Sequence, residues 1–186
     1  MGMTSAYKYI IPVDDMTEGD KARMRKNAID AAMLRAIRTK VVAAEDEALV
    51  REPEPVTDFG MAVGGWLAPA LAAVGTAVTV FNGVAAPQLA NNRVVVWYGC
   101  FINTVPLPVY ELTFREGAAG GSTYAIFMLD QLESRQQMAC YFSEPVWYDP
   151  QRVMLIQWLP KVILGAGARL GLMGFIIEPK GPTVSQ

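Results

Sequence analysis

Histidine is absent from this chain of 186 residues, and cysteine occurs only twice. Without histidine, the chain cannot use Ser–His–Asp or Cys–His catalysis, a His-ligated zinc ion or the metal site of a cupin-type barrel. The two cysteines, Cys100 and Cys140, lie in separate apolar runs and cannot build a structural zinc site. Both are predicted to be small buried side chains, and spacing alone leaves open whether they form a disulfide.

An excess of positive charge is also missing, because 16 Lys and Arg residues are balanced by 18 Asp and Glu residues. A surface that binds nucleic acid is strongly basic, so the sequence predicts no nucleic-acid partner. No motif indicates a nucleophile with its base, a phosphate loop or a cofactor site. We therefore expect a protein that is not an enzyme and that needs no cofactor.

Charge is distributed unevenly along the chain. The first 58 residues carry 20 of the 34 charged side chains, whereas residues 59–92 carry none. The segment from Arg51 to Pro55 contains two prolines, each preceded by a glutamate, which is typical of a stiff, extended connector. The predicted domains are a charged helical arm with this connector over residues 1–58 and an apolar body over residues 59–186.

The arm is predicted to contain one long helix. Thr17 is a good N-cap residue, and Asp20 places a carboxylate near the positive end of the helix dipole. Apolar residues then recur at three- and four-residue steps, so the helix should run from about Glu18 to Ala48 at most, with one apolar face and a break near Ala43 as an alternative. This face can pack on the body or on another subunit, and we expect it to form an assembly interface. The residues predicted for that interface are Ile29, Met33, Ile37 and Val41.

Residues 60–80 are long enough to cross a bilayer, which needs about 20 apolar residues. The run has only two leucines and neither isoleucine nor phenylalanine, and its many alanines and glycines contribute little to membrane insertion. Its end, from Thr76 to Phe81, is rich in β-branched residues that favour a strand. A buried segment leading into a strand is therefore favoured, and a membrane-anchored protein remains an alternative.

The rest of the chain has the pattern of β-strands separated by Gly, Pro and Asn. Helical segments do not alternate with these strands, which favours an antiparallel sandwich over a parallel sheet. The predicted fold is mainly β: an antiparallel jelly-roll sandwich with an N-terminal helical arm. Its eight strands are predicted at residues 76–81, 93–103, 109–114, 123–129, 139–142, 152–159, 162–164 and 168–178.

One aromatic pair in the body suggests a second alternative. Trp147 and Tyr148 could stack on sugar rings, as in a carbohydrate-binding module, although core or interface packing is the commoner use of such residues. Glu144 and Asp149 lie close by, and two carboxylates at a fixed separation can cleave a glycosidic bond. Because prolines follow both acids directly, their pattern favours turns over catalysis.

Two stretches of the body carry a family resemblance: YFSEPVWYDPQRVMLI at residues 141–156 and GLMGFIIEPKG at residues 171–181. With them, residues 94–182 resemble a class of tailed-phage and related viral structural proteins built on a single jelly roll. The resemblance implies a capsid-associated or decoration component of a virion, made in the host cytoplasm and commonly assembled around a symmetry axis. The partners that it implies are further copies of this chain and other virion proteins.

Overall fold

Two β-sheets stack face to face in the computed structural model, which describes residues 6–67, 70–81, 84, 86–117, 121–134, 139–165 and 168–181. The strands are β1 Tyr7–Lys8, β2 Ile10–Pro12, β3 Ala48–Arg51, β4 Val78–Thr79, β5 Val94–Ile102, β6 Val109–Glu116, β7 Ser122–Met128, β8 Ala139–Tyr148, β9 Met154–Pro160 and β10 Leu170–Pro179. The helices are α1 Glu18–Arg38, α2 Pro55–Phe59 and α3 Asp130–Ser134, with 3-10 turns at Val13–Asp15 and Glu45–Glu47.

Within the described residues each sheet has five strands. The first sheet has the order β1-β7-β6-β9-β4, and the second has the order β2-β8-β5-β10-β3. Neighbouring strands are antiparallel except for β1, which lies parallel to β7. The prediction of a mainly β, antiparallel sandwich with one long N-terminal helix is thus confirmed.

The inner faces of the two sheets share one hydrophobic core. Phe127 of the first sheet stacks on Phe142 of the second, with ring centroids 4.1 Å apart, and Phe114 meets Phe142 edge-on at 5.5 Å. All three rings are fully buried. Because aromatic rings of this size bury a large apolar area, these contacts between layers are a main source of the sandwich's stability.

Helix α1 begins where the sequence predicts, but it ends well before the predicted limit at Ala48. The Thr17 hydroxyl accepts a hydrogen bond from the Asp20 N–H at 3.1 Å, and Asp20 completes a capping box. At the other end Lys40 has a positive φ of 59°, and the Val41 N–H donates to the Ala36 carbonyl at 2.9 Å. This turn closes the helix at Arg38, ten residues before the predicted upper limit at Ala48.

The apolar face of α1 packs on the outer face of the second sheet. Ala28, Ala32 and Ala36 are almost fully buried there, and their small side chains let the helix approach β5 and β10 closely. The segment predicted as an arm also supplies strands to both sheets, namely β1, β2 and β3. Residues 6–58 and the body therefore share packed layers in this structure.

Several predicted strands have different limits. The strand predicted at residues 139–142 is longer in the structure, where β8 continues through Pro145 to Tyr148. The strand predicted at residues 76–81 is shorter, because only the two-residue strand β4 forms there. Residues 162–164 form no strand, and Leu164 makes a single bridge to Leu71. No helix in the described part of the chain is long and apolar enough to cross a membrane.

Candidate functional site

A groove opens where the edges of the two sheets are left uncovered. Strand β1 pairs with β7 only from Ile126 onward, and β2 pairs with β8 only as far as Phe142. Between the uncovered ends of β7 and β8 lies a cavity of about 540 Å³. We call it the Trp147 groove, and its charged and aromatic lining residues are Lys8, Arg35, Tyr124, Glu144, Trp147 and Asp149.

Two ion pairs lie in this groove. Arg35, in the last turn of α1, donates two parallel hydrogen bonds to Asp149, with N–O distances of 2.6 and 2.5 Å. This hydrogen bonding raises the pKa of the Arg35 guanidinium. Lys8 binds Glu144 at 2.8 Å. Asp149 therefore anchors α1 to the end of β8, a role that its predicted place in a turn did not indicate.

Two aromatic side chains face solvent in the groove. Trp147 is 42% exposed, because alternation along β8 turns it outward while Val146 and Tyr148 face the core. Tyr124, on the facing strand β7, is 40% exposed. The structure thus agrees with an exposed Trp147 and adds Tyr124 as its companion.

Tyr148 does not belong to this exposed surface, and its predicted role in stacking needs correction. Its side chain is 1% exposed, and its hydroxyl donates a hydrogen bond of 2.9 Å to the Arg115 carbonyl. Burial raises the pKa of the Tyr148 phenol well above its usual range. The ring instead packs beneath Tyr124, at a centroid distance of 5.6 Å. Strand alternation alone indicates that Trp147 and Tyr148 cannot face the same side.

The four residues predicted for the arm interface do come together, but against this chain's own second sheet. Met33 and Val41 are buried there, and Ile29 and Ile37 are half-buried against the same cluster. Leu34, which lies on the opposite side of α1, is 51% exposed. The apolar stripe is therefore already covered within one chain.

A second surface lies at one end of the sandwich, which we call the loop end. It comprises residues 61–67, 70–77, 103–108 and 161–165. Backbone hydrogen bonds join these loops: the Leu71 N–H donates to the Leu164 carbonyl at 2.9 Å, and the Lys161 N–H donates to the Pro108 carbonyl at 2.8 Å. Four aliphatic side chains stand exposed on these loops. They are Val63, Val74, Val105 and Ile163, with exposed fractions of 94%, 57%, 74% and 67%.

The loop end includes one continuous exposed stretch of the charge-free segment. Residues 72–77 are all exposed, and none of them can ionise. Lys161 is the one ionisable residue of the loop end, and it pairs with Glu133 and Asp130 of α3, so its charge is compensated locally. A surface with little charge and several exposed aliphatic side chains is typical of a contact with another protein.

A partly buried charge network holds the start of the body in place. Arg51 of β3 donates to Asp58 of α2 with N–O distances of 2.7 and 2.6 Å, and Arg93 donates to the same carboxylate at 3.0 Å. Both arginines also bind Glu178 of β10, at 2.8 and 2.7 Å. Burial alone raises the pKa of Asp58, but hydrogen bonds from Arg51 and from the Glu54 N–H outweigh it, and the pKa lies below the ordinary value.

The two cysteines lie directly opposite each other on β5 and β8. Both are free thiols with fully buried side chains, and their sulfur atoms are 3.4 Å apart. The hydrogen bond to Cys140, together with burial, raises the pKa of the Cys100 thiol. The prediction of small buried side chains is confirmed.

No protein-family model matches this chain, and no curated protein matches it. Among the residues that the structure describes, no group of three or more His, Cys, Asp or Glu side chains is placed to hold a metal ion. The function is therefore argued from the strand order and from the two surfaces described above.

Proposed function

We propose that this chain is a non-enzymatic structural protein of a virion, with a jelly-roll body that assembles with further copies of itself and with other virion proteins. The observation that carries the proposal is the exposed, aliphatic loop end, whose one ionisable residue, Lys161, is paired with α3. The resemblance of residues 94–182 to viral jelly-roll proteins and the order of the strands support it.

The strand order supports the jelly roll. That fold divides eight antiparallel strands between two sheets. Strands β3 to β10 have the orders β3-β10-β5-β8 and β4-β9-β6-β7, so each set of four is contiguous within its sheet. Consecutive strands alternate between the sheets except for the pair β6 and β7, which are neighbours. The short strands β1 and β2 extend the two sheets at one edge.

A jelly roll alone does not define a function, because capsid proteins, lectins and cupins share it. The loop end favours assembly among these. Val63, Val105 and Ile163 each expose more than half of their surface, although the chain has a complete core in which comparable side chains are buried. Exposing several aliphatic side chains together is unfavourable in water unless a partner covers them.

A second copy of the chain is the partner that this surface fits best. In a two-fold symmetric interface the same surface patch of both copies meets itself, so a patch with charges of one sign would repel its copy. The exposed residues 72–77 avoid this repulsion because they contain no ionisable group. The surface is therefore self-complementary in charge, and its loops, tied together by backbone hydrogen bonds, form a defined shape.

The test is the mass of the protein in solution, measured by light scattering after size exclusion. We expect the wild type to form one defined oligomer, whose symmetry can be examined by negative-stain electron microscopy. Val74→Asp and Ile163→Asp should shift it towards the 20.3 kDa chain, because each places a carboxylate in the contact. Both positions are exposed, so the fold should persist, as circular dichroism can verify.

Leu34→Asp is the matched control, because it makes the same chemical change at an exposed position of α1. We expect this variant to keep the wild-type mass. A wild type that stays at 20.3 kDa at every concentration would contradict assembly through any surface. Dissociation by Leu34→Asp alone would instead move the interface to the outer side of the helix.

A further inference from the structure

We propose that the Trp147 groove binds a neutral oligosaccharide, with Trp147 and Tyr124 as its stacking surfaces. The groove lies along the edge shared by β7 and β8, and none of its lining residues belongs to the loop end. This binding function is therefore independent of the proposed assembly. The volume of the groove, about 540 Å³, lies within the range of roughly 300–1,000 Å³ that is usual for small-molecule sites.

The aromatic surfaces are held ready for a ligand. The ring of Tyr124 rests on the buried ring of Tyr148, and its hydroxyl donates to Glu116. Tyr148 is in turn fixed by its hydrogen bond to the Arg115 carbonyl. Because these supports restrict the motion of Tyr124, a ligand loses less entropy when it binds there. The C–H faces of a pyranose ring are apolar and pack well against such rings.

The polar groups of the groove suit sugar hydroxyls. The carboxylates of Glu144 and Asp149 can accept hydrogen bonds, and Lys8 and Arg35 can donate them. Adjacent hydroxyls on a sugar ring match a planar guanidinium or carboxylate with two contacts. Apolar walls with a few convergent polar groups are the usual composition of a ligand site.

The charge balance selects a neutral sugar. The groove holds two cations and two anions, already paired at 2.8 Å for Lys8 with Glu144 and 2.5 Å for Arg35 with Asp149. A sialylated or sulfated glycan would meet two carboxylates, and no unpaired cation lies among the described lining residues to offset them. A neutral oligosaccharide does not face this repulsion.

The backbone of β8 disfavours an added strand as the occupant. Pro145 lies in the uncovered part of β8 and has no N–H to donate to a neighbouring strand. Prolines and charged side chains on an edge strand oppose pairing with another chain. Glu144, 66% exposed beside that proline, adds a charge to the same edge. Recognition in the groove is therefore carried by side chains rather than by a β-ladder.

The test uses the full chain on an array of immobilised gluco-, manno-, galacto- and xylo-oligosaccharides, with sialylated and sulfated glycans as comparators. We expect binding to at least one neutral class, which isothermal titration calorimetry then quantifies with the same free oligosaccharide. Trp147→Ala should weaken that binding at least tenfold, and Trp147→Phe should restore part of it because a ring is kept. Glu144→Gln should weaken it several-fold.

Tyr9→Ala is the control, since Tyr9 is 67% exposed and does not line the groove. It should bind the oligosaccharide as the wild type does. Three outcomes would overturn the proposal: no neutral oligosaccharide binds, only anionic glycans bind, or Trp147→Ala binds as tightly as the wild type. Dissociation of the oligomer by Trp147→Ala would also overturn it, because the groove would then be occupied by a second copy.

Discussion

Replacing Asp58 with asparagine should destabilise the fold strongly, although the two side chains have nearly the same shape. The Asp58 side chain is 1% exposed and accepts hydrogen bonds from Arg51, Arg93 and the Glu54 N–H. An asparagine has one acceptor oxygen instead of two, and its NH₂ group would face a guanidinium. The two arginines would lose half of their neutralising charge.

The expected loss of stability in Asp58→Asn depends on how exposed the partners of Asp58 are. Removing one partner of a fully buried ion pair costs about 3–5 kcal/mol. Arg51 and Arg93 keep 27% and 28% of their side-chain surface exposed, and Glu178 still binds both. Water and Glu178 therefore offset part of the loss, and we expect about 3 kcal/mol. At this chain length that corresponds to a fall in Tm of about 6–12 °C.

Urea unfolding at pH 7, followed by tryptophan fluorescence, measures this difference. Asp30→Asn is the matched control, because Asp30 is 57% exposed in an i,i+4 pair with Lys26 on α1. That substitution should cost less than about 0.5 kcal/mol. The reasoning is refuted if Asp58→Asn destabilises the protein by no more than Asp30→Asn does.

The same network makes a prediction about pH. The folded-state pKa of Asp58 lies below its ordinary value of 3.8, so its contribution is fully present above pH 3.8 and is lost as the pH falls through the folded pKa. The folded-state pKa of Glu178 likewise lies below its ordinary value of 4.5, so its contribution is also lost only in acid. The stability difference between the wild type and Asp58→Asn should stay constant from pH 7 to about pH 5 and shrink only in stronger acid. A difference that closes between pH 7 and pH 5 would contradict this assignment.

Three further predictions follow from local packing. Gly174→Ala should cost about 1–3 kcal/mol, because its Cβ would lie 2.4 Å from a β5 carbonyl oxygen, whereas Gly165→Ala, in open space, should be neutral in urea unfolding. Met33→Ala should lower the unfolding free energy by about 2–5 kcal/mol without altering the oligomer mass. An unchanged unfolding free energy with a reduced oligomer mass would instead support the predicted arm interface. Cys100 and Cys140 should react with maleimide only after denaturation, and rapid labelling of the native protein would contradict their burial.

Local sequence patterns predicted a good part of the fold. The N-terminus of α1 follows from Thr17 and Asp20, whose capping box forms over three residues. The end of α1 does not follow, because the turn uses Lys40 with a positive φ, where Gly or Asn would be the usual signal. The long strands β5 and β10 follow from runs of apolar residues, and the β-branched run at residues 76–81 predicted a longer strand than β4. The two-residue strand β1 is too short to leave a pattern.

The candidate sites depended much more on the tertiary structure. Trp147 was identified from sequence, but its companion in the groove is Tyr124 and not Tyr148. Local patterns could not indicate Tyr124, because β7 and β8 belong to different sheets and meet only at their edges. The network around Asp58 joins residues up to 127 positions apart, and no local pattern indicates that Arg51 and Glu178 meet.

The sequence by itself determined the class of elements, since hydrophobic periodicity and caps act over a few residues. It also determined that the chain has no histidine for catalysis or metal binding, and that residues 59–92 of the body carry no charge. Only the tertiary structure decided that α1 covers its own sheet, and that residues 72–77 are exposed at the loop end. These outcomes depend on which distant strands pair and on which faces they bury, and pairing over long separations is governed by the packing of the whole chain.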